Sequence, residues 1–265
     1  MKNYEIYDEE NKNEVGTLLY YEKSNTFLIE LCENLDEWTA PLLFTSYVKR
    51  GVFSIPRSSS RTWVSERIIP SGRQNIGSIL KTHHLKEYDE MRFLELSKGR
   101  CSQDSLMIRR QDALPEYVTR RMLKCLKDFT LSDGNSILCF FNDGTTKRIC
   151  LSSIDDFKGV DKVISNPALY DSCSLGPDGF YLTFADSIDI PAWLLYQKGQ
   201  DLPVSYEDFL SFASRNLVDT TTGCEILECS RQNLSYMVSH KQLSPIKKDI
   251  KGNLYLKNDV TKNLW

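Results

Sequence analysis

The chain has 265 residues, of which 41% are hydrophobic and 26% are charged. These proportions are ordinary for globular proteins and exclude a disordered, collagen-like or coiled-coil chain. No apolar run exceeds five residues, whereas a membrane-spanning helix needs about 20. The first five residues do not resemble a signal peptide. We therefore expect a soluble, cytoplasmic protein that makes no membrane contact.

The net charge of −3 conceals a segregation along the chain. Four consecutive segments carry different net charges: −5 over 1–56, +7 over 57–127, −8 over 128–219 and +3 over 220–265. Alternation on this scale predicts separate modules, two of which are able to face an anionic partner. The alternative is that solvated faces happen to differ. Since the whole chain is slightly acidic, any affinity for nucleic acid must come from a local basic surface.

The first module is predicted to combine a small sheet with short helices. Apolar and polar residues alternate over 15–20 and 26–31, which indicates antiparallel strands joined by a turn at 22–25. Helices follow: Ile76, Ile79 and Leu80 share one helical face. A second helix is predicted over 85–96. Met91 and Leu94 lie on one of its faces and Leu96 lies approximately on the same face, and Gly99 is placed to end the helix.

This module contains the pattern Trp63-x-x-x-Arg67-x-Ile69-Pro70-x-x-Arg73, followed by Gly99, Asp104 and Ser105. Over roughly residues 4–108 it resembles the non-catalytic amino-terminal region of HipA-like toxin kinases. Only about 25 residues separate Asp104 from the next module, so the kinase domain that follows in that family does not fit. The resemblance implies a detached version of this region, acting as an antitoxin towards a HipA-like kinase.

Arg67 and Arg73 are the candidate partner-binding residues of this module. Their guanidinium forks suit an anion or an acidic partner. The alternative is that both pair with nearby carboxylates, for which the candidates are Glu66, Asp89, Glu90 and Asp104.

The middle module is predicted to contain two hairpins. Two β-rich runs flank Asn142-Asp143-Gly144, a strong hairpin signal, and a second hairpin is expected over 173–184. The stretch 190–196 is predicted to be a closing apolar turn. Asp143, Asp178 and Asp186 are interpreted as turn residues rather than metal or acid–base groups. Over about 133–197 the pattern resembles a small bacterial α/β domain of unknown function that sometimes precedes a helix-turn-helix. Its net charge makes this module a plausible contact for a basic protein.

The last module has the most informative pattern. A threonine N-cap is predicted to start a short helix that buries Cys224, Ile226 and Leu227, and a tight turn follows at Glu228-Cys229. Ser230 is predicted to cap a second helix. That helix turns Leu234, Met237 and Val238 inward at positions i, i+3 and i+4. A basic hairpin and a last short helix complete the module.

Across 218–261 this order resembles the winged helix-turn-helix of the excisionase and MerR type. The resemblance implies that the second helix enters a major groove while the hairpin lysines reach phosphates. The candidate DNA-binding residues are Arg231, Gln232, Asn233, Ser235, Tyr236, Ser239, Lys241, Lys247, Lys248 and Lys251. Glu228-Cys229 stands where the family commonly has glycine and a small apolar residue, which predicts strain at the turn. The alternative is a helix-turn-helix that serves only for docking or dimerisation.

No enzymatic signature emerges. The three histidines are His83, His84 and His240, and the eight scattered cysteines form no Cys-x-x-Cys pair. Phosphate-loop, dinucleotide, nucleophile-elbow and zinc-protease motifs are all missing from the sequence. We expect no catalytic site, no metal and no cofactor, although a site assembled from distant residues is an open alternative. The cysteines are expected to be reduced thiols.

Together these patterns predict an α+β protein of several modules, with small antiparallel sheets, short helices and a carboxy-terminal winged helix-turn-helix. The expected boundaries are 1–127, 128–203 and 204–265. The leading hypothesis is a sequence-specific transcriptional regulator of the antitoxin or repressor kind that binds double-stranded DNA as a homodimer. The alternative is a protein-interaction module that binds a HipA-like kinase or a phage component without touching DNA.

Overall fold

The computed structural model describes residues 1–204, 206–250 and 252–264. The chain divides into two compact units, Met1–Thr119 and Arg120–Trp265. Both are α+β and are built from small antiparallel sheets and short helices. No helix within the described ranges is long and apolar enough to cross a membrane. The division into three modules stays a prediction.

Unit 1 (residues 1–119) is built on one five-stranded sheet. Its strands are β1 (Lys2–Asp8), β2 (Asn13–Tyr21), β3 (Thr26–Leu31), β4 (Ser54–Ile55) and β5 (Leu106–Gln111). They lie in the order β4-β3-β2-β1-β5, and every neighbouring pair is antiparallel. The predicted hairpin of β2 and β3 is confirmed, with Leu18 opposite Ile29. The pairing of β1 with β5 joins residues about a hundred positions apart and was not predicted.

Short helices accompany this sheet. They are α1 (Thr45–Val48), α2 (Arg57–Ser65), α3 (Ile76–Thr82), α4 (Glu90–Ser97) and α5 (Glu116–Met122), which crosses into the second unit. Helix α2 packs on β3, where the buried Ser60 hydroxyl accepts a hydrogen bond from the Ile29 amide (3.1 Å). The core beneath contains the fully buried Trp63.

The buried face of α4 differs in one detail from the predicted face. Met91 and Leu94 are buried as expected, but Leu96 is half exposed and Phe93 is buried against Tyr88 instead. Successive helical residues are about 100° apart, so Leu96 lies roughly 140° around the helix from Met91. The helix ends one residue before the predicted glycine, at a left-handed Lys98.

Unit 2 (residues 120–265) begins with two small sheets. The first has the order β12-β8-β7-β6, and the second has the order β11-β10-β9. Their strands are β6 (Leu126–Ser132), β7 (Ser136–Phe141), β8 (Thr146–Cys150), β9 (Cys173–Leu175), β10 (Tyr181–Phe184), β11 (Ile188–Pro191) and β12 (Gln200–Asp201). Both predicted hairpins are present.

The connections in this part are helical. They are α6 (Val160–Ser165), α7 (Pro167–Asp171) and α8 (Ala192–Lys198). The predicted apolar turn at 190–196 is wrong, since these residues finish β11 and begin α8. Asp143 does act as a turn residue, because its carboxylate accepts hydrogen bonds from the Thr145 amide (2.9 Å) and hydroxyl (2.8 Å). Asp178 and Asp186 take left-handed turn conformations, with φ of 45° and 52°.

The carboxy-terminal segment of unit 2 has its own sheet, in the order β13-β15-β14. Its elements are α9 (Tyr206–Asn216), β13 (Leu217–Val218), α10 (Thr220–Ile226), α11 (Arg231–Ser239), β14 (Lys247–Ile250), β15 (Gly252–Leu256) and α12 (Lys257–Lys262). They enclose a small core of Val218, Leu234, Leu243, Tyr255 and Val260.

Side chains join this segment to the sheet of β6, β7 and β8. Phe212 of α9 packs edge-on against Phe140, with ring centroids 5.1 Å apart. The Arg215 guanidinium donates to the Leu131 carbonyl (3.2 Å). The side chain of Asn258, in α12, donates to the Asp128 carboxylate in β6. The segment is therefore held against the sheet within one compact unit.

Candidate nucleic-acid interface

The interface predicted from sequence begins at α10, which Asp219 caps. The Asp219 carboxylate accepts a hydrogen bond from the Thr222 amide (2.8 Å). That bond to the charged form lowers the pKa of Asp219. The predicted threonine N-cap is thus wrong by one residue, because an aspartate preceded the threonines and is the better helix initiator.

A left-handed turn joins α10 to α11. The Glu228 amide donates to the Glu225 carbonyl (3.2 Å), the Cys229 amide donates to the Cys224 carbonyl (3.0 Å), and Glu228 has φ +49°. This pair of bonds defines a Schellman motif, in which glycine is the usual left-handed residue. The predicted tight turn is present, and a glutamate occupies the position that favours glycine.

Helix α11 begins as predicted. Ser230 has extended backbone angles, and its hydroxyl accepts a hydrogen bond from the Asn233 amide (3.2 Å). Leu234 is buried, while Met237 and Val238 are half-buried against the small core. Helices α10 and α11 approach closely at Gly223, where an added Cβ would lie 3.2 Å from the Leu234 side chain. The residues of α11 that were predicted to face inward therefore pack this helix against α10.

The opposite face of α11 is exposed to solvent. It carries Arg231, Gln232, Asn233, Ser235, Tyr236 and Ser239. The Arg231 guanidinium donates to the Thr221 hydroxyl (3.1 Å), and Tyr236, which is 55% exposed, stacks on His240 with ring centroids 3.8 Å apart. No carboxylate occurs on this helix. The face therefore offers hydrogen-bond donors and acceptors without a negative charge of its own.

The predicted phosphate-contacting lysines follow α11. Lys241 is exposed in the turn after the helix, and Lys247 and Lys248 are exposed on β14. Lys251 lies outside the described residues. Lys262 does not join this group, because its ammonium pairs with Asp259 (3.6 Å) and donates to the Lys127 carbonyl.

Carboxylates flank the interface on the α10 side. Asp219, Glu225 and Glu228 are all exposed there. These carboxylates repel an anion that approaches α11 from that side. Binding of an anionic partner is therefore favourable only at the exposed face of α11 and at the lysines that follow it.

The two candidate partner-binding arginines of unit 1 have different environments. Arg67 is 5% exposed: its guanidinium lies 3.9 Å from the centre of the Trp63 ring, donates to the Trp63 carbonyl (3.0 Å) and pairs with Asp104. This arrangement favours the alternative in which Arg67 pairs within the chain. Arg73 is exposed and donates to the Asn75 side chain (2.9 Å), so it is open to an external contact.

Sequence reasoning missed a polar cavity of about 330 Å³ in unit 2. It is lined by Ser132, Asp133, Ser136, Arg148, Asp208, Ser211 and Arg215. Arg148 and Asp208 form an ion pair there, between β8 and α9. The lining residues come from four separate elements, so no local pattern predicts their proximity. With two arginines and two aspartates the cavity has no net charge.

Among the described residues, no group of three or more histidine, cysteine, aspartate or glutamate side chains lies close enough to hold a metal ion. The expectation that the protein has no catalytic site stays a prediction. The chain matches no protein-family model, no characterised protein and no solved structure.

Proposed function

We propose that residues 217–264 form a winged helix-turn-helix that binds double-stranded DNA, with α11 in the major groove. The order of α10, turn, α11, the β14–β15 hairpin and α12 supports this proposal. In this mode of binding the recognition helix presents its amino-terminal residues to base edges. Arg231, Gln232 and Asn233 occupy that first turn and are exposed.

The observation that carries the proposal is the exposed face of α11, which is polar, free of carboxylates and adjacent in sequence to exposed lysines. Arginine suits the acceptors of guanine, and glutamine or asparagine suits adenine. Each good bidentate contact is worth about 1–3 kcal/mol of discrimination. Ser235, Tyr236 and Ser239 lie further along the same face.

Lys241, Lys247, Lys248 and Lys251 are proposed to contact phosphates. Such contacts are independent of sequence and weaken with salt, because binding releases counterions from the DNA. One small module reads few base pairs, so we propose a homodimer on a two-fold site. The role that follows is transcriptional regulation, of the repressor or antitoxin kind.

The test is fluorescence anisotropy of the full-length protein on the duplex upstream of its own gene, over a salt series. The double variant Arg231→Ala, Gln232→Ala is expected to lose at least tenfold of the preference for that duplex over a scrambled one. Lys247→Ala is expected to weaken binding to both duplexes and to reduce the salt slope by about 1.

Lys158→Ala is the matched control, since it removes an exposed lysine from the connection between β8 and α6. It is expected to leave both quantities unchanged. Equal affinity of wild type and the α11 variant for the upstream duplex would refute the base-reading role, and no salt-dependent binding to any duplex would refute DNA binding.

We propose a protein-binding role for unit 1 as the second candidate. Trp38 is 85% exposed and Leu42 is 94% exposed, both in the segment between β3 and α1. A partner that covered these two side chains would remove a large apolar area from water, which favours binding. The partner that the sequence resemblance implies is a HipA-like kinase, and Arg73 remains open to an acidic group on it.

Calorimetric titration with a HipA-like kinase tests this second candidate. The double variant Trp38→Ser, Leu42→Ser is expected to lower the affinity at least tenfold. Leu96→Ser, which changes a half-exposed leucine on α4, is the control and is expected to have little effect. The candidate is excluded if wild-type protein releases no heat of binding or if the double variant binds as wild type does.

A further inference from the structure

We propose that Cys224 and Cys229 form a dithiol site that hydroperoxides oxidise to an intramolecular disulfide. Both cysteines are free thiols and both are half-buried, at the junction of α10 and α11. The site is distinct from the exposed face of α11 and does not depend on DNA binding.

The Schellman motif brings the two residues together. Cys224 is the first residue of the reversal and Cys229 is the sixth, and the amide of the sixth donates to the carbonyl of the first (3.0 Å). In this motif the side chains at these two positions usually make an apolar contact. Here both positions hold thiols, and the Cys224 thiol is close enough to Cys229 to affect its pKa.

A disulfide requires Cα atoms about 4.4–6.8 Å apart. The hydrogen bond from the Cys229 amide to the Cys224 carbonyl (3.0 Å) brings the two residues together across the reversal. The pKa of the Cys229 thiol is raised, mainly by partial burial and secondly by the neighbouring Cys224 thiol. The reversal therefore places the two thiols as neighbours, as the bond requires.

Cys224 and Cys229 differ from the other thiols of the described residues because one backbone reversal joins two partly exposed cysteines. Cys139 is 1% exposed, and burial raises the pKa of its thiol well above the ordinary value, so it is shielded from an oxidant in water. Cys150 is exposed, and its hydrogen bonds with Ser152 lower the pKa of its thiol, so it is open to an oxidant; no second cysteine lies within ten residues of it in the sequence. Cys224 and Cys229 combine partial exposure with a thiol neighbour.

The chemistry balances with one peroxide per disulfide. One thiol loses its proton, and its thiolate attacks an oxygen of hydrogen peroxide; the O–O bond breaks, a sulfenic acid forms, and the departing hydroxide takes up that proton to give a first water. The second thiol attacks the sulfenic sulfur, which forms the S–S bond and releases a second water. The two thiols lose two electrons, and hydrogen peroxide takes them up. A reducing dithiol reverses the change.

The test is peptide mapping of the full-length protein after hydrogen peroxide at pH 8.5, followed by alkylation of the remaining thiols. Arg215 and Arg231 flank both cysteines with no lysine or arginine between them, so trypsin releases the pair in one peptide. The expected product is that peptide without alkyl groups and lighter by about 2 Da, the mass of two hydrogen atoms. Dithiothreitol before alkylation is expected to restore two alkylation sites.

Two variants complete the design. Cys229→Ser is expected to abolish the 2 Da loss, since Cys224 has no partner thiol left in the turn. Cys150→Ser removes an exposed cysteine elsewhere and is expected to leave the linked peptide unchanged. The proposal is overturned if wild-type Cys224 and Cys229 remain fully alkylated while Cys150 is oxidised, or if either cysteine is linked instead to another peptide.

Discussion

Asp128 is a charged group that the fold places in an apolar setting. It lies in β6 and is 4% exposed. One carboxylate oxygen accepts hydrogen bonds from the Phe129 amide (2.8 Å) and the Asn258 side chain. The other is buried and has no hydrogen-bond partner among the described residues. Burial therefore raises the pKa of Asp128 to about 6.

A pH-dependent stability follows for unit 2. Because the carboxyl binds its proton more tightly when folded, its contribution is fully present below pH 3.8 and is lost as the pH rises to about 6. The loss is on the order of 3 kcal/mol. Asp128→Asn is expected to raise the free energy of unfolding in urea at pH 7.5 and to flatten this part of the pH profile.

Asp133→Asn is the control, because Asp133 is exposed at the turn after β6. It is expected to leave the pH profile as in the wild type. An Asp128→Asn protein that is less stable than wild type at pH 7.5 would contradict the assignment of the buried carboxylate as destabilising.

Arg67 shows the opposite case, a buried charge with a partner. Its guanidinium stacks on Trp63 and pairs with Asp104. Arg67→Ala removes this buried side chain and opens a void beside the ring, while the exposed Asp104 keeps its hydrogen bond from the Leu106 amide. We expect a loss of about 2 kcal/mol in the free energy of unfolding, chiefly from the void. Arg73→Ala, on an exposed arginine, is expected to cost less than about 0.5 kcal/mol. Equal losses in the two variants would mean that the Arg67 pair contributes nothing.

At the scale of elements, the junction of α10 and α11 combines a favourable motif with an unfavourable residue. Glu228 holds a φ of +49°, which costs a residue with a side chain about 1 kcal/mol relative to glycine. The cap of α11 at Ser230 and the close approach at Gly223 hold both helices in place despite this strain.

Glu228→Gly is therefore expected to raise the melting temperature, by relieving about 1 kcal/mol of strain. The matched change Glu225→Gly, in the last turn of α10, is expected to lower it, since glycine has the poorer helix propensity, by up to about 1 kcal/mol. Thermal unfolding followed by circular dichroism measures both. Destabilisation by both changes would show that the glutamate side chain outweighs the backbone strain.

At the scale of the whole molecule, the charge segregation of the sequence is largely cancelled by folding. The acidic stretch 1–56 and much of the basic stretch 57–127 share one unit. Glu9 pairs with Arg100 (2.6 Å), and Glu5 pairs with Arg109 (3.8 Å), because β1 lies beside β5. The basic stretch is therefore not a free cationic surface, and the proposed DNA contacts lie in unit 2.

Separate units predict separable functions. A fragment of residues 112–265, which keeps α5 whole, is expected to bind the upstream duplex with the salt slope of the full chain. Residues 1–111 are expected to bind no DNA. Anisotropy titrations of the two fragments provide the measurement, with circular dichroism to check folding. Loss of DNA binding from a folded 112–265 fragment would place part of the interface in unit 1.

Local patterns were enough to predict the hairpin at Asp143-Gly144, the capped α11 and its inward and outward faces. Turn residues, caps and helical periodicity act over a few positions, so the sequence expresses them directly. The pairing of β1 with β5, the burial of Asp128 and Arg67 and the polar cavity were decided only by tertiary structure. Each depends on contacts between residues far apart in the chain, and burial, which sets whether a charge is paired or its pKa shifted, exists only once those contacts form.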